Sequence, residues 1–351
     1  MNLRDGQMRI GILGATGYSG IVLYSLLRQH PQVTQIKLYG HQGNNESAAL
    51  FNERVPAFKT ENYPIEAFSA NQVMQETDCL FCATPAGVTS QLIEPFIKNN
   101  FPVIDLSGDF RLKDPTSYEK WYHRPAAKQE QLTHAEYGLA EFHHSISGHY
   151  IANPGCYATA TLLGLAPLLL EHLIDLQSII VDAKSGVSGS GKKLSASSHF
   201  TFINENISLY KLNAHQHIPE IMQQLKLWDP AVKPIQFSTT LIPVTRGLMA
   251  TIYVKLRSGV TRRQVTAAFQ AQYQNSPFVR WRNQQLPDLK AVVGSNFCDI
   301  GYGYNPAANV LTVVSVIDNL VKGAAGQAVQ NFNLMWGFPE ETGLPQFPVF
   351  P

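Results

Sequence analysis

Charge of either sign is scarce and balanced in this sequence. Only 15% of its 351 residues are Asp, Glu, Lys or Arg, and they leave a formal net charge of +1. No block of like charge occurs, which argues against a nucleic-acid footprint or a membrane-surface patch. Long apolar runs are missing too. The longest candidate, Ala158 to Leu170, is interrupted by Pro167 and falls short of the ~18 residues that a spanning helix needs. The start, MNLRDGQMRIGILG, is polar and of mixed charge ahead of an apolar run too short for a secretory signal. Cysteine is sparse, and four in a chain of this length do not make a disulfide framework. These absences together predict a cytoplasmic protein in a reducing compartment, with neither nucleic acid nor membrane as partner.

What is present is an ordinary globular composition, 44% hydrophobic, in a chain long enough for two domains with a core each. Cys79 and Cys82 form a C-x-x-C inside Asp78–Ala83, which reads as a buried strand. Three residues apart on a strand they point to opposite faces, so neither a shared metal nor a redox pair is expected. Cys298 reads as core. His134, His143, His144 and His149 lack the close spacing and the partner ligands of a zinc site. No metal site is predicted.

The first half alternates strand and helix. Met8–Leu13 is a short apolar run, Gly14-Ala-Thr16-Gly17-Tyr18-Ser19-Gly20 follows at once, and Ile21–His30 has helical spacing. Glycines between a strand and a helix allow a tight turn and bring the backbone close to a pyrophosphate on the helix N-terminus. At the end of the second strand, Gln35–Tyr39, an NAD enzyme would carry an acid for the ribose hydroxyls. This chain has Tyr39-Gly40-His41-Gln42-Gly43 and no carboxylate before Glu46. An acid would repel a 2′-phosphate, so its absence tilts the cofactor to NADP(H). Strands at Asp78–Ala83 and Pro102–Asp105, with a helix to about Ile97 between them, complete the pattern of a doubly wound parallel sheet. Leu106–Arg111 lies on a strand's carboxyl end. On chemistry alone it reads equally as a surface turn or as a ligand loop with Arg111 available for a carboxylate or phosphate. The polar, aromatic-rich stretch from Lys113 to His149 has no shape derivable from its pattern.

The chain is organised around Asn153-Pro154-Gly155-Cys156-Tyr157-Ala158-Thr159. The Pro-Gly pair stops a short strand, Tyr150–Ala152, and puts Cys156 at the first turn of a buried helix. Amide hydrogens and the helix dipole there favour the thiolate, the nucleophilic form. Beyond it the composition shifts toward strands, at Ile179–Ala183, Ile235–Ile242, Met249–Leu256 and Asn309–Ile317, which suggests an α+β domain with a mixed or antiparallel sheet. Ser185–Lys193 reads as a linker or as a loop of amides for an anion. Thr261-Arg-Arg-Gln264 is a capping box that opens a helix to about Gln274. An apolar stripe from Gly323 to Trp336 predicts a last helix that returns to the nucleotide domain. Asn213-Ala-His215-Gln-His217-Ile-Pro-Glu220 is the second candidate for chemistry, and reads as an acid/base unit, as zinc ligands lacking a third partner, or as surface histidines before a helix. Histidine titrates near neutral pH, and a nearby carboxylate can support its imidazolium.

In this order, the glycine turn, Asp105-Leu-Ser107-Gly-Asp-Phe-Arg111, Asn153–Tyr157, Ser185–Gly191, Asn213–Glu220, Pro243-Val-Thr-Arg-Gly247 and Asp318–Gly326 resemble N-acetyl-gamma-glutamyl-phosphate reductases over nearly the whole chain. That family belongs with aspartate-semialdehyde dehydrogenase and resembles glyceraldehyde-3-phosphate dehydrogenase in chemistry. The chain departs from it at Gln216, where arginine is usual. The resemblance implies NADPH-dependent reduction of N-acetyl-L-glutamyl 5-phosphate to the 5-semialdehyde in arginine biosynthesis, through a cysteine thioester. It implies a Rossmann-type NADP-binding domain, 1–155 with 320–351, and a catalytic and dimerisation domain, 156–319. Cys156 becomes the nucleophile and His217 the acid/base, with Arg111, His215 and Glu220 toward the substrate. Gly14, Thr16, Gly17, Tyr18, Ser19, Gly20, Ser107, Ser188, Gly189 and Asn319 become cofactor contacts. A homodimer or homotetramer is expected. The rival readings are aspartate-semialdehyde dehydrogenase, a reductase of a carrier-linked aminoadipyl phosphate, and a nucleotide-sensing protein without turnover.

Overall fold

The structure, a computed structural model, describes residues 7–40, 49–143 and 148–350. The chain divides into two compact units, Met1–Pro154 with Ala324–Leu344, and Gly155–Gly323 with Pro345–Pro351.

The first unit is built on a seven-stranded sheet. Its strands are β1 (Met8–Leu13), β2 (Val33–Gly40), β3 (Ile65–Ala67), β4 (Cys79–Cys82), β5 (Val103–Asp105), β6 (Ala135–Tyr137) and β7 (Tyr150–Ala152). They run in the order β3-β2-β1-β4-β5-β7-β6, and every neighbouring pair is parallel. Helices cover a parallel sheet on both faces, so its central strands must be apolar on both sides. β4 meets that demand with Cys79, Leu80, Phe81 and Cys82 all buried. The strand order reverses between β1 and β4, which opens a crevice at their carboxyl ends. The glycine turn leaves β1 there and leads into the helix Tyr18–Arg28. The last helix, Gly326–Trp336, packs in this unit. Its Asn333 Oδ1 lies 2.9 Å from His30 Nε2, and Phe332 meets the rings of His30 and Phe81.

Three stretches differ from the expected pattern. The helix expected up to Ile97 is two short ones, Thr89–Leu92 and Glu94–Lys98, because Pro95 cannot continue a turn begun before it. Phe51–Ala70, whose sequence pattern is irregular, holds a short helix, Phe51–Arg54, and β3. Within Lys113–His149 the helix Pro115–Tyr122 opens on Asp114, whose carboxylate accepts from the Thr116 and Ser117 amides, with proline at the first helical position.

The second unit has a mixed sheet of β8 (Ile180–Gly186), β9 (Ser208–Tyr210), β10 (Gln236–Ile242), β11 (Leu248–Lys255), β12 (Val279–Asn283), β13 (Cys298–Asn305) and β14 (Val310–Ile317). The order is β12-β13-β14-β11-β8-β10-β9, with β8–β10 and β12–β13 parallel and the remaining pairs antiparallel. The expected pairing of a doubly wound parallel sheet with a mixed one is therefore what the chain adopts. Thr261 and Gln264 form the expected capping box at the start of the helix Arg262–Tyr273.

The helix Cys156–Leu170 is the core of this unit, buried from Tyr157 through Leu169. A helix apolar on every side has to be enclosed. It packs on β11 and β14 and on the helices His217–Trp228 and Arg262–Tyr273. Gly164 permits the closest approach, since a Cβ there would sit 2.7 Å from Ile252 Cδ1. Pro167, inside the helix, has no amide to give to the Leu163 carbonyl. Tyr273 supplies the missing donor, its hydroxyl lying 2.6 Å from Leu163 O.

Candidate active site

Cys156 is the first residue of its helix, with Gly155 as N-cap in extended conformation and no side chain capping the turn. Amides and dipole at that position favour a negative charge on the sulfur. Cys79, Cys82 and Cys298 are buried, whereas Cys156 is partly exposed. Burial pushes the Cys79 and Cys82 thiols well above the ordinary range, so neither is a reactive thiolate. The Gly155 amide donates to Glu220 Oε1 at 2.8 Å, and Glu220 is fully buried. Gly323 lies against Cys156, where a Cβ would come within 2.7 Å of Cys156 Cβ.

Two imidazoles stand beside this turn. Asn213 adopts a left-handed φ of 52° in the turn that delivers His215, and His217 opens the helix His217–Trp228. The rings of His215 and His217 are 4.7 Å apart. Tyr157, the neighbour of Cys156, sets its ring edge-on to both, at 5.0 and 6.0 Å. Its hydroxyl meets that of Tyr210 at 2.8 Å. The His217 amide donates to His215 Nδ1 at 3.1 Å, so the His215 ring carries its proton on Nε2. Burial, with smaller contributions from His217 and Lys211, pushes His215 down to about 2. It is a neutral imidazole at any pH of interest. Burial likewise raises the Tyr157 hydroxyl and takes that of Tyr210 up to about 12, so both remain protonated. Gln216, at the departure from the family pattern, accepts from Lys211 Nζ at 2.8 Å.

Glu220, expected toward the substrate, has one carboxylate oxygen on the backbone that carries Cys156. Asn319 fastens two loops of the same unit. Its Oδ1 accepts from the Gly247 amide at 2.8 Å, and its Nδ2 donates to Ser188 Oγ at 2.9 Å. The expectation that Ser185–Lys193 offers free amides to an anion fails at its start. The amides of Gly186, Val187 and Ser188 donate to the Gly247, Val244 and Thr245 carbonyls. Arg246 escaped the sequence reading, although its motif was visible. Its guanidinium is about one-third exposed and reaches the buried Asp318 carboxylate at 3.6 Å.

In the first unit the glycine turn fits a dinucleotide. Gly14 has φ of 92°, and a Cβ on it would lie 2.6 Å from Ala83 O. A Cβ on Gly20 would strike Gly14 O at 2.2 Å. A Cβ on Gly17 would meet only Gly14 O, at 3.8 Å, and Gly17 is the N-cap of a helix that no side chain caps, which leaves its first amides to an anion. Ser107 is buried and turned inward, donating its hydroxyl to Asp105 at 2.9 Å. Asp105 is raised to about 6, chiefly by burial and then by Asp109. Asp109, also overlooked, accepts from the Gly87 and Ser90 amides and the Tyr118 hydroxyl, and so ties the loops after β4 and β5 together. Arg111 is buried and donates to the Asn153 and Leu106 carbonyls at 2.8 and 2.7 Å. These bonds give it a structural duty that the substrate reading did not include. His41, Gln42, Gly43 and Glu46, on which the choice of NADP over NAD rested, lie outside the described residues, as does His144.

Among the described residues no group of three or more His, Cys, Asp or Glu side chains could hold a metal, and no helix is long and apolar enough to cross a membrane. The NAD-binding domain family of semialdehyde dehydrogenases matches residues 9–148, and their dimerisation domain family matches residues 156–319. The chain is 55% identical, over 98% of its length, to N-acetyl-gamma-glutamyl-phosphate reductase 2 of Lactiplantibacillus plantarum. It is 51% and 52% identical, again over 98%, to the N-acetyl-gamma-glutamyl-phosphate reductases of Limosilactobacillus fermentum and Listeria monocytogenes, and each relative is covered in full. Among solved structures, aspartate semialdehyde dehydrogenase II of Vibrio cholerae complexed with ASA superposes with a TM-score of 0.67 at 15% identity, over 93% of this chain and 98% of that one. The Candida albicans aspartate semialdehyde dehydrogenase with NADP gives 0.65 at 14%, over 92% and 96%. Identities so low speak for a shared fold.

Proposed function

Since the chain belongs to the N-acetyl-gamma-glutamyl-phosphate reductase family of semialdehyde dehydrogenases, we propose that it reduces N-acetyl-L-glutamyl 5-phosphate to N-acetyl-L-glutamate 5-semialdehyde and phosphate. The observation that carries this reading is the grouping of Cys156, the first residue of its helix, with the imidazoles of His215 and His217 across the Tyr157 ring. In the first step Cys156 Sγ attacks the acyl carbonyl, the carbon–sulfur bond forms, and the carbon–oxygen bond to phosphate breaks with its electron pair leaving on phosphate. Amides at the helix start stabilise the oxyanion on the way. NADPH, when bound, supplies the hydride that takes the thioester to the aldehyde level. His217 gives a proton to the carbonyl oxygen of that reduction. It then recovers the proton as the carbon–sulfur bond breaks and Cys156 leaves as thiolate.

His215 suits a different task. It is neutral, with Nδ1 taken up by the His217 amide, and so serves as an Nε2–H donor to a substrate oxygen. Glu220 acts through the backbone of Gly155 rather than on the substrate. Gly14, Thr16, Gly17, Tyr18, Ser19 and Gly20 hold the dinucleotide phosphates, with Ser107 shaping the neighbouring loop. Ser188, Gly189 and Asn319 are assigned to the nicotinamide end, and Arg246 joins Arg111 as a candidate for substrate anions. On this reading the first unit binds NADP(H), the second carries the chemistry, and the chain works in the cytoplasm as a homodimer or homotetramer without nucleic-acid or membrane partners.

The test is NADP⁺ reduction in the reverse direction with phosphate and N-acetylglutamate semialdehyde, run beside aspartate semialdehyde. A preference of roughly 100-fold or more in kcat/KM for the acetylated substrate is expected, on the scale at which polar sites reject a mismatched ligand. Equal rates, or a preference for aspartate semialdehyde, would overturn the substrate assignment.

A further inference from the structure

Asn153 stands three residues before Cys156 and is completely buried. A buried amide side chain needs partners for its polar groups, and so does the backbone that carries it. Asn153 has them all. Its backbone amide donates to Asp105 O at 2.8 Å, and its carbonyl accepts from Arg111 Nε at 2.8 Å. Its Nδ2 donates to Ala324 O at 3.1 Å, and its Oδ1 accepts from Asn331 Nδ2 at 3.0 Å. Asn331, on the helix Gly326–Trp336, donates from the same nitrogen to Gly138 O at 2.8 Å. Gly138 O and Ala324 O can only accept, so both side chains must turn their nitrogens toward them, which fixes the orientation of each amide. Gly138 makes room for this arrangement, since a Cβ there would lie 2.6 Å from Asn331 Nδ2. Asn331 is also completely buried, yet no described residue donates to its Oδ1. A buried oxygen without a donor costs stability. The side chain is therefore in place for the two bonds that its nitrogen gives.

Both stretches of backbone that meet at Asn153 lead to Cys156. One runs through Pro154 and Gly155 into the helix that Cys156 begins. The other is the π-helical turn Val321–Ala325, of a kind that recurs at functional sites. It contains Gly323, next to Ala324, where a Cβ would come within 2.7 Å of Cys156 Cβ. We infer that Asn331 is a positioning residue for Cys156: by its bond to Asn153 it holds both stretches of backbone against which the sulfur is set. Glu220 fixes the Gly155 amide just before the sulfur, and Asn331 fixes the residue from which that turn departs. Asn331 itself touches no reacting atom on this account. Its effect passes through the chain, and a play of a few tenths of an ångström at Asn153 is passed on to the start of the helix.

The role in turnover rests on the reductase reading, whereas the hold on Cys156 does not, and the two are measured separately. Asn331→Ala is compared with Asn333→Ala, Cys156→Ser and the unmodified chain. Asn333 is the control. It lies on the same helix, is equally buried, and bonds His30, Glu340 O and Thr342 O, none of which adjoins Cys156 in sequence. Both asparagine variants are expected to lower the urea midpoint, since each strands buried carbonyls. Only Asn331→Ala should lower kcat, by roughly tenfold with KM changed less than about twofold, as the displacement of a reacting group does. Only it should also move the pH midpoint of Cys156 alkylation by iodoacetamide upward, because the thiolate loses part of its alignment with the helix amides. Alkylation, read by mass spectrometry on the Cys156 peptide, needs neither substrate nor cofactor. Asn331→Ser, a smaller change that keeps one donor, replaces Asn331→Ala if the latter does not fold, and the same pattern is expected of it. An Asn331 variant with an unchanged alkylation profile, or one whose losses are matched by Asn333→Ala, overturns the inference. A shifted profile with unchanged kcat overturns the role in turnover. A shifted profile in a chain whose Cys156→Ser variant turns over normally overturns the reductase mechanism and leaves the hold on Cys156 standing.

Discussion

The carboxylate of Glu220 and the amide of Gly155 share a buried hydrogen bond of 2.8 Å. One residue of the His217–Trp228 helix thereby fixes the N-cap of the helix that Cys156 begins. Glu220→Ala leaves that amide without this acceptor in a buried place. The expected result is a 10- to 100-fold fall in kcat with little change in KM, corresponding to about 1.4–3 kcal/mol for a buried bond to a charged acceptor. Glu220→Gln keeps an acceptor oxygen in place and should restore most of the loss. Steady-state kinetics of the two variants make the comparison.

The two histidines should separate in their pH behaviour. His215, held near 2 by burial, does not titrate in an assay between pH 5 and 9. His215→Asn should therefore raise KM and leave the shape of the kcat profile alone, while His217→Asn removes a limb of that profile. Stability carries the matching sign. A histidine whose folded value lies below its unfolded 6.5 is bound by more protons when unfolded, so its contribution is complete above 6.5 and declines as pH falls below it toward the folded value. The urea midpoint of His215→Asn should depend less on pH than that of the parent between pH 6.5 and 4.

Tyr273 and Pro167 make a pair through the Leu163 carbonyl. Tyr273→Phe removes the donor that replaces the one proline lacks, and it should cost about 1–3 kcal/mol for a buried carbonyl left unsatisfied. Activity at low temperature should be near normal. Urea titration read by circular dichroism measures the loss.

Gly323→Ala should act in the opposite sense, on activity more than on stability. Its methyl would press on Cys156 Cβ from 2.7 Å, too close for either atom to stay in place. If Cys156 acts as proposed, a shift of its sulfur by a few tenths of an ångström lowers kcat by roughly tenfold or more. The thiol alkylation rate of Cys156, read by mass spectrometry, should change with it.

Much of this was legible in the residues. The glycine turn, the extended strand before Pro154 and Gly155, and the apolar run after Cys156 each fix a local conformation, and each stands where its pattern says. The mixed second sheet followed from the alternation in β10, β11 and β14. β3 and β9 did not show, because Glu66 interrupts the one and Ser208 opens the other, so neither presents the apolar run that marks β7. Asp114-Pro115 carried a helix start that the surrounding polarity hid. The tasks of Glu220, Asp109 and Asn319 were illegible for another reason. Each bonds to backbone amides far away in sequence, and no local pattern encodes a partner that only the folded chain supplies. The preference between His215 and His217 likewise needed the amide that occupies one ring nitrogen.

Acyl transfer to Cys156 can be observed without any reducing cofactor. The purified chain is mixed with N-acetylglutamyl phosphate in the absence of NADPH, quenched in acid, and examined for released phosphate and for the mass of the peptide that contains Cys156. A rapid release of one phosphate per chain is predicted, with one N-acetylglutamyl group on Cys156 and none in Cys156→Ser. No burst and no adduct on that peptide, in a preparation that turns over normally once NADPH is added, would contradict a covalent mechanism at this cysteine.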